Sequence, residues 1–165
     1  CGNSVSHTQI ITVQDTTGPV LSSNPANALV ECDSIPAPAL VSATDNCDGT
    51  LAVEYSESAV AGACEGASVI TRTWTATDEC GTSVVHVQTL TVVDTTSPVL
   101  SGTPADVTVE CDSVPAPAAV TTSDNCDQAV KVSMAETVIP GACSDSYSLQ
   151  RTWTSVDSCG NSVSH

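Results

Sequence analysis

The sequence predicts an all-β chain of tandem, small antiparallel sandwiches, and three observations carry that reading. The chain repeats itself at an offset of 79 residues, its apolar positions alternate or fall in short β-branched runs, and its nine cysteines stand at repeating places. A period of that size is too long for a solenoid coil. It describes an array of small domains, each with its own core.

The repeat needs no gap. D-T-T-G-P-V-L at 15–21 returns as D-T-T-S-P-V-L at 94–100, and E-C-D-S-I-P-A-P-A at Glu31 as E-C-D-S-V-P-A-P-A at Glu110. T-D-N-C-D at Thr44 returns as S-D-N-C-D at Ser123, and R-T-W-T stands at both Arg72 and Arg151. Cys1, Cys80 and Cys159 superpose, each followed by Gly, and C-G-N-S-V-S-H occupies both 1–7 and 159–165. Three segments are expected: 1–15 as the final strand of a preceding repeat, 16–94 as a complete repeat, and 95–165 as a second repeat lacking most of its final strand. The chain reads as a window from a longer periodic protein.

Residues 5–14 are rich in β-branched side chains and read as the last strand of that preceding repeat. Residues 19–22 and 28–32 read as one edge strand kinked at Asn24-Pro25-Ala26-Asn27, because proline belongs at edges and strand starts. A second strand covers 39–43. Asp45-Asn-Cys-Asp-Gly is a turn by its Asx and Gly content. A third strand covers 51–57, and 61–66 is a loop. The fourth, 68–77, alternates cleanly, with Ile70, Trp74 and Ala76 on one face and threonines on the other, so the Trp face is the core face. After the turn at 78–82, a fifth strand covers 84–93. No amphipathic helix is visible. Five strands joined by turns in this length imply an immunoglobulin-like sandwich.

An odd strand count places the incoming and outgoing chain at opposite ends, so repeats can follow one another in a line. A ten-residue strand spans about 33 Å, which gives an advance of about 40 Å per repeat. The same polarity puts Cys32 and Cys64 at one end and Cys47 and Cys80 at the other. Four cysteines allow three pairings, and only one joins neighbours within a repeat: Cys32 with Cys64 and Cys47 with Cys80, hence Cys111 with Cys143 and Cys126 with Cys159. Cys1 is left without a partner in this window. Each such bridge closes a loop of about 33 residues and contributes roughly 3–4 kcal/mol in the chain-entropy model.

Repeats of roughly 75 residues sit near the lower size limit for a self-sufficient core. The core here is thin, with Ala and Val dominating, no Phe and one Trp per repeat. Cysteine density without a C-x-x-C pair therefore reads as disulfides formed outside the cell. There is no signal peptide, apolar 18-residue run or starting Met, as expected for an internal piece of a secreted precursor without membrane insertion. With 19 acidic against three basic residues, nucleic acid would be repelled and divalent cations attracted.

Acidic residues collect where the turns of one repeat meet the linker from the last. Asp15, Asp45, Asn46, Asp48 and Asp78 form one set, and Asp94, Asp124, Asn125, Asp127 and Asp157 its counterpart. Several carboxylates beside turn carbonyls suit Ca²⁺, and a Ca²⁺ at each junction is expected; the bland reading is that Asp45 and Asp78 only cap their own turns. Arg72 and Arg151 lie on the Trp face and call for a carboxylate, Glu31 or Glu57 and Glu110 or Glu136, as ion pairs at the core margin. The repeated histidines have no Ser, Cys and acid set beside them, so His86 reads as a packing residue. With no phosphate loop, HExxH or carboxylate cleft, and 2% aromatics, no enzyme is expected.

D-T-T-x-P-V-L, V-E-C-D-S-[IV]-P-A-P, [TS]-D-N-C-D, R-T-W-T and D-x-C-G together resemble the hyalin-repeat-like, immunoglobulin-fold modules arrayed in giant surface proteins of Bacteroidota, including gliding-motility adhesins. The resemblance implies a secreted, cell-surface stalk whose partners are neighbouring repeats. It also implies O-glycosylation at Asp-Ser/Thr sites, here Thr16, Ser34, Thr95 and Ser113. Two other roles remain open: a module binding glycan or protein through the loop 59–68, and a fibre subunit completed by donation of the strand at 5–14.

Overall fold

A computed structural model describes residues 1–165 and contains strands and turns without a helix. The all-β expectation holds. Chain contacts divide the molecule into two compact units that do not coincide with the sequence repeats: residues 1–26, 38–57 and 72–88, and residues 27–37, 58–71 and 89–165.

The first unit is built on β1 (Val20–Leu21), β3 (Ala43–Asp45) and β4 (Gly49–Leu51), an antiparallel sheet with Leu21 opposite Ala43 and Ala43 opposite Leu51. It also holds parts of β5 (Glu54–Ala61), β6 (Ser68–Thr77) and β7 (Ser83–Val93). Its core is Leu21, Ala43, Trp74 and Ala76, flanked by Val41, Leu51, Val53 and Val84. Every second residue of β6 from Ile70 to Ala76 is buried, so the alternation read from the sequence is the alternation observed.

Arg72 belongs to that buried row at 3% exposure, and its Nε donates to Glu57 Oε2 at 2.7 Å. The same oxygen accepts from the Tyr55 hydroxyl at 2.6 Å, and the Tyr55 ring tilts against Trp74 at 5.3 Å. Of the two carboxylates expected for this arginine, Glu57 is the one used. Arg151 pairs identically with Glu136. His86 behaves as a packing residue, its Nε2 2.8 Å from the Pro25 carbonyl oxygen and its ring 6.0 Å from that of Trp74.

In the second unit β2 (Ala28–Glu31) runs parallel to the end of β7, with Ala28 opposite Leu90 and Glu31 opposite Val93. Ile70, Leu90 and Val92 pack there with Val30 and Cys32. The same unit contains β8 (Val99–Ser101) paired with β9 (Thr121–Ser123), and the sheet β10 (Lys131–Pro140), β11 (Tyr147–Val156), β12 (Ser162–Ser164). Trp153 is buried on β11, as Trp74 is on β6.

Four expectations need correction. The kinked edge strand is two strands, since β1 pairs with β3 while β2 pairs with β7; the Asn24-Pro25 break moves the chain from one sheet to another. The β2–β7 pair is parallel in an otherwise antiparallel set. The third strand is split, with β4 in one sheet and β5 at the edge of another. Residues 5–14 form no strand, and Val5 is 99% exposed. Their counterpart β7 is held by β2 and β6, and no strand is paired with residues 5–14.

The Arg72 pair sets a pH dependence. Hydrogen bonds from Tyr55 and Arg72 hold the Glu57 carboxyl below its ordinary value, so this stabilisation is present above pH ~4.3 and is lost as pH falls through the lower folded value. Glu57→Gln should cost about 1 kcal/mol at pH 7, the low end for a charge-assisted bond because Glu57 is 40% exposed and screened. Denaturant melts across pH 2–7 should show the gap between the two proteins closing in acid; a gap that does not change with pH contradicts the assignment.

Candidate functional site

Three aspartates in each repeat fold their own turns in the same way. Asp15 Oδ1 accepts from Thr17 N–H at 3.1 Å, and Asp94 Oδ1 from Thr96 N–H at 3.1 Å. Asp45 Oδ1 takes the N–H groups of Cys47 and Asp48, as Asp124 Oδ1 takes those of Cys126 and Asp127. Asp78 Oδ1 accepts from Thr82 N–H at 2.7 Å, and Asp157 Oδ1 from Asn161 N–H at 2.8 Å. These are side-chain to backbone bonds that close short turns. They account for one oxygen of each carboxylate.

The second oxygen is different. Oδ2 of Asp15, Asp45, Asp78, Asp94 and Asp124 is buried and has no hydrogen-bond partner. Asp157 Oδ2 instead accepts from Asn161 Nδ2 at 2.8 Å, an amide that also donates to the Asp94 carbonyl oxygen at 3.1 Å. Burial, followed by the charges of Asp124, Asp157 and Glu31, pushes the Asp94 carboxyl above its ordinary range, against the pull of the Thr96 N–H. Acidic and sulfur atoms of Asp15, Asp45 and Cys47 lie within 4.8 Å of one another, as do those of Asp94, Asp124 and Cys126.

The remaining members of the expected cation set face other tasks. Asp48 Oδ2 accepts from Glu79 N–H at 2.8 Å and Asp127 Oδ2 from Ser158 N–H at 3.0 Å, tying one turn to the next. Asp127 Oδ1 takes Ala129 N–H, and these bonds hold its carboxyl below its ordinary value. Asn46 Nδ2 donates to Cys47 Sγ and Asn125 Nδ2 to Asp33 Oδ2.

Around Asn125 the second unit brings the far end of the first repeat against the near end of the second. Cys32 is bonded to Cys126 and Cys64 to Cys159, with Cα separations of 6.1 and 5.0 Å, both inside the range a disulfide spans. Glu65 N–H donates to Ser158 Oγ at 3.0 Å. Glu31 accepts from Thr95, whose hydroxyl is 2.6 Å and whose N–H is 3.2 Å from its two oxygens. The bridges therefore cross from one repeat to the next and replace the expected pairs Cys32–Cys64 and Cys126–Cys159. Cys32 and Cys64 both belong to the first repeat and Cys126 and Cys159 to the second, so each sulfur finds its partner across the boundary.

The other expected pairs, Cys47 with Cys80 and Cys111 with Cys143, are free thiols, as is Cys1. Burial, then the charge of Asp15, raises the thiols of both Cys47 and Cys80. Of the expected glycan acceptors, Thr16, Ser34 and Ser113 are exposed and Thr95 is held by Glu31. Gly66 was not foreseen. Its φ is +84°, and a Cβ there would lie 2.7 Å from Cys126 Cβ and 3.5 Å from Cys32 Cβ. The repeat conceals it, because Asp145 stands at the equivalent place.

Taken together, the fold and this site define a disulfide-clamped, all-β repeat protein of immunoglobulin-like type. Residues 20–92 match the family model of the HYR-like domain with 4 cysteines. Domains of that family are adhesion-type modules, and the match together with the disulfides suggests an extracellular or cell-surface protein. A search of curated proteins found no match. No helix is long and apolar enough to cross a membrane.

Gly66→Ala places a methyl group where the Cys32–Cys126 bridge must pass, in a backbone region costing L-residues roughly 1–2 kcal/mol. Thiol titration of the unfolded wild type should find the five free cysteines, and the variant should show two more. An unchanged thiol count would contradict the close approach.

Proposed function

We propose that this chain is a structural stretch of a long secreted filament or cell-surface adhesin stalk, in which successive repeats are locked covalently to one another. One observation carries the reading: Cys32–Cys126 and Cys64–Cys159 both join the first repeat to the second. A bridge within a repeat stabilises that repeat alone, whereas a bridge across the boundary resists separation of neighbours under tension. The two bridges lie at sequence separations of 94 and 95. Either alone restricts the unfolded chain by about 4.7 kcal/mol in the chain-entropy model, and the second adds less because the loops overlap.

Two details favour a stalk over a recognition module. The loop 59–68, the expected recognition segment, places Cys64, Glu65 and Gly66 against the second repeat. The acidic surface, with formal net charge −16, keeps separate chains from adhering to each other. A continuous covalent array also makes donation of the strand at 5–14 unnecessary for joining repeats.

Pulling the whole chain by its two ends in a single-molecule force experiment tests this. The Cys32–Cys126 bridge withholds a separation of 94 residues, about 330 Å of extended chain at ~3.5 Å per residue. Oxidised protein should stop extending short of full length, and added reductant should release that further length. No gain on reduction would remove the covalent clamp and the proposal with it.

A further inference from the structure

We propose that the aspartate triads Asp15, Asp45, Asp78 and Asp94, Asp124, Asp157 form two Ca²⁺ sites, one per repeat, each centred on the pair whose carboxylates lie within 4.8 Å of one another, Asp15 with Asp45 and Asp94 with Asp124. The inference stands on carboxylate geometry and does not depend on what the chain is joined to.

The turn-closing role explains Oδ1 of each aspartate and leaves Oδ2 over. Five of the six Oδ2 atoms are buried without a partner, and they are the only such side-chain atoms in the molecule. Asp78 and Asp94 are each 6% exposed. A buried anionic oxygen without a donor is costly, and here the arrangement is built twice, at equivalent positions 79 residues apart. Cationic side chains are scarce: of three basic residues, Arg72 and Arg151 hold Glu57 and Glu136. A bound cation resolves the excess of acceptors.

The donor set selects the ion. In the second triad Cys126 is bonded to Cys32, so its sulfur is no thiolate ligand and the available atoms are hard oxygens, which disfavours zinc and copper; the first triad has the same carboxylates at equivalent positions, with the free Cys47 thiol beside them. Mg²⁺ demands near-ideal octahedral geometry and gives up its water reluctantly, whereas Ca²⁺ accepts carboxylates in flexible arrangements. Buried carboxylates drawn from three separate turns fit the second ion. The two sites are unequal. Asn161 already satisfies Asp157 Oδ2, while its counterpart Thr82 leaves Asp78 Oδ2 free, so the first triad is the tighter site.

Calorimetric titration of the EDTA-treated, oxidised full chain with CaCl₂ at neutral pH tests this. Two Ca²⁺ should bind per chain with an upward shift in melting temperature, and excess MgCl₂ should not displace them. Asp45→Asn and Asp124→Asn retain the Oδ1 that closes each turn while removing the charge, so each folded variant should bind one ion and the double variant none. Asp145→Asn, outside both triads, should still bind two. Absence of binding with an unchanged melt, or a stoichiometry indifferent to Asp45→Asn and Asp124→Asn, would overturn the proposal. Melts of the metal-free variants guard against misfolding: replacing a repelled buried carboxylate by an amide should leave them folded, and unfolded metal-free variants would count against leftover oxygens as the feature that matters.

Discussion

The structure depends on a meeting of four sulfur atoms. Cys32 and Cys64 of one repeat pair with Cys126 and Cys159 of the next, and both bridges cross the boundary. Around them the polar contacts follow the same direction, Asn125 to Asp33, Glu65 to Ser158 and Glu31 to Thr95. Small repeats with cores of Ala, Val and a single Trp have little apolar area from which to draw stability. Crosslinks that close long loops compensate, and they tie the integrity of one repeat to that of its neighbour. That the compact units cut across the sequence repeats follows from this: segments 27–37, 58–71 and 89–94 of the first repeat group with the second.

Polar chemistry near the junction is organised by turns rather than by a cleft. Each aspartate of the triads closes a turn with one oxygen, and all but Asp157 bury the other without a partner, so the same residues that shape the backbone also concentrate negative charge. Glu31, immediately before Cys32, holds the Thr95 that follows Asp94. Linker, acidic turn and disulfide are thus contiguous, and a change at one is expected to reach the others through a few residues.

Much of the fold was legible because alternation and repetition are local signals. The burial of β6, the Arg72–Glu57 pair, the packing of His86 and the acidic turns all follow from residues a few positions apart or from two copies agreeing. The disulfide partners were not legible. Spacing assigns cysteines to ends of a repeat but not which end meets which, and pairing inside a repeat is forced only for a repeat taken alone. The Asn24-Pro25 break announced a kink without saying that the strand beyond it would join another sheet in parallel. Gly66 was hidden by Asp145, and the buried Ala43 and Ala76 of one repeat are Thr122 and Ser155 in the other. There a hydroxyl pair at 2.9 Å replaces an apolar contact, a compensation visible only once the two strands are known to touch.

The most direct measurement is a disulfide map of the oxidised chain by non-reducing proteolysis and mass spectrometry. The account predicts linked peptides containing Cys32 with Cys126 and Cys64 with Cys159. Recovery of Cys32 with Cys64 and Cys126 with Cys159 would show that each repeat closes on itself, and would contradict it.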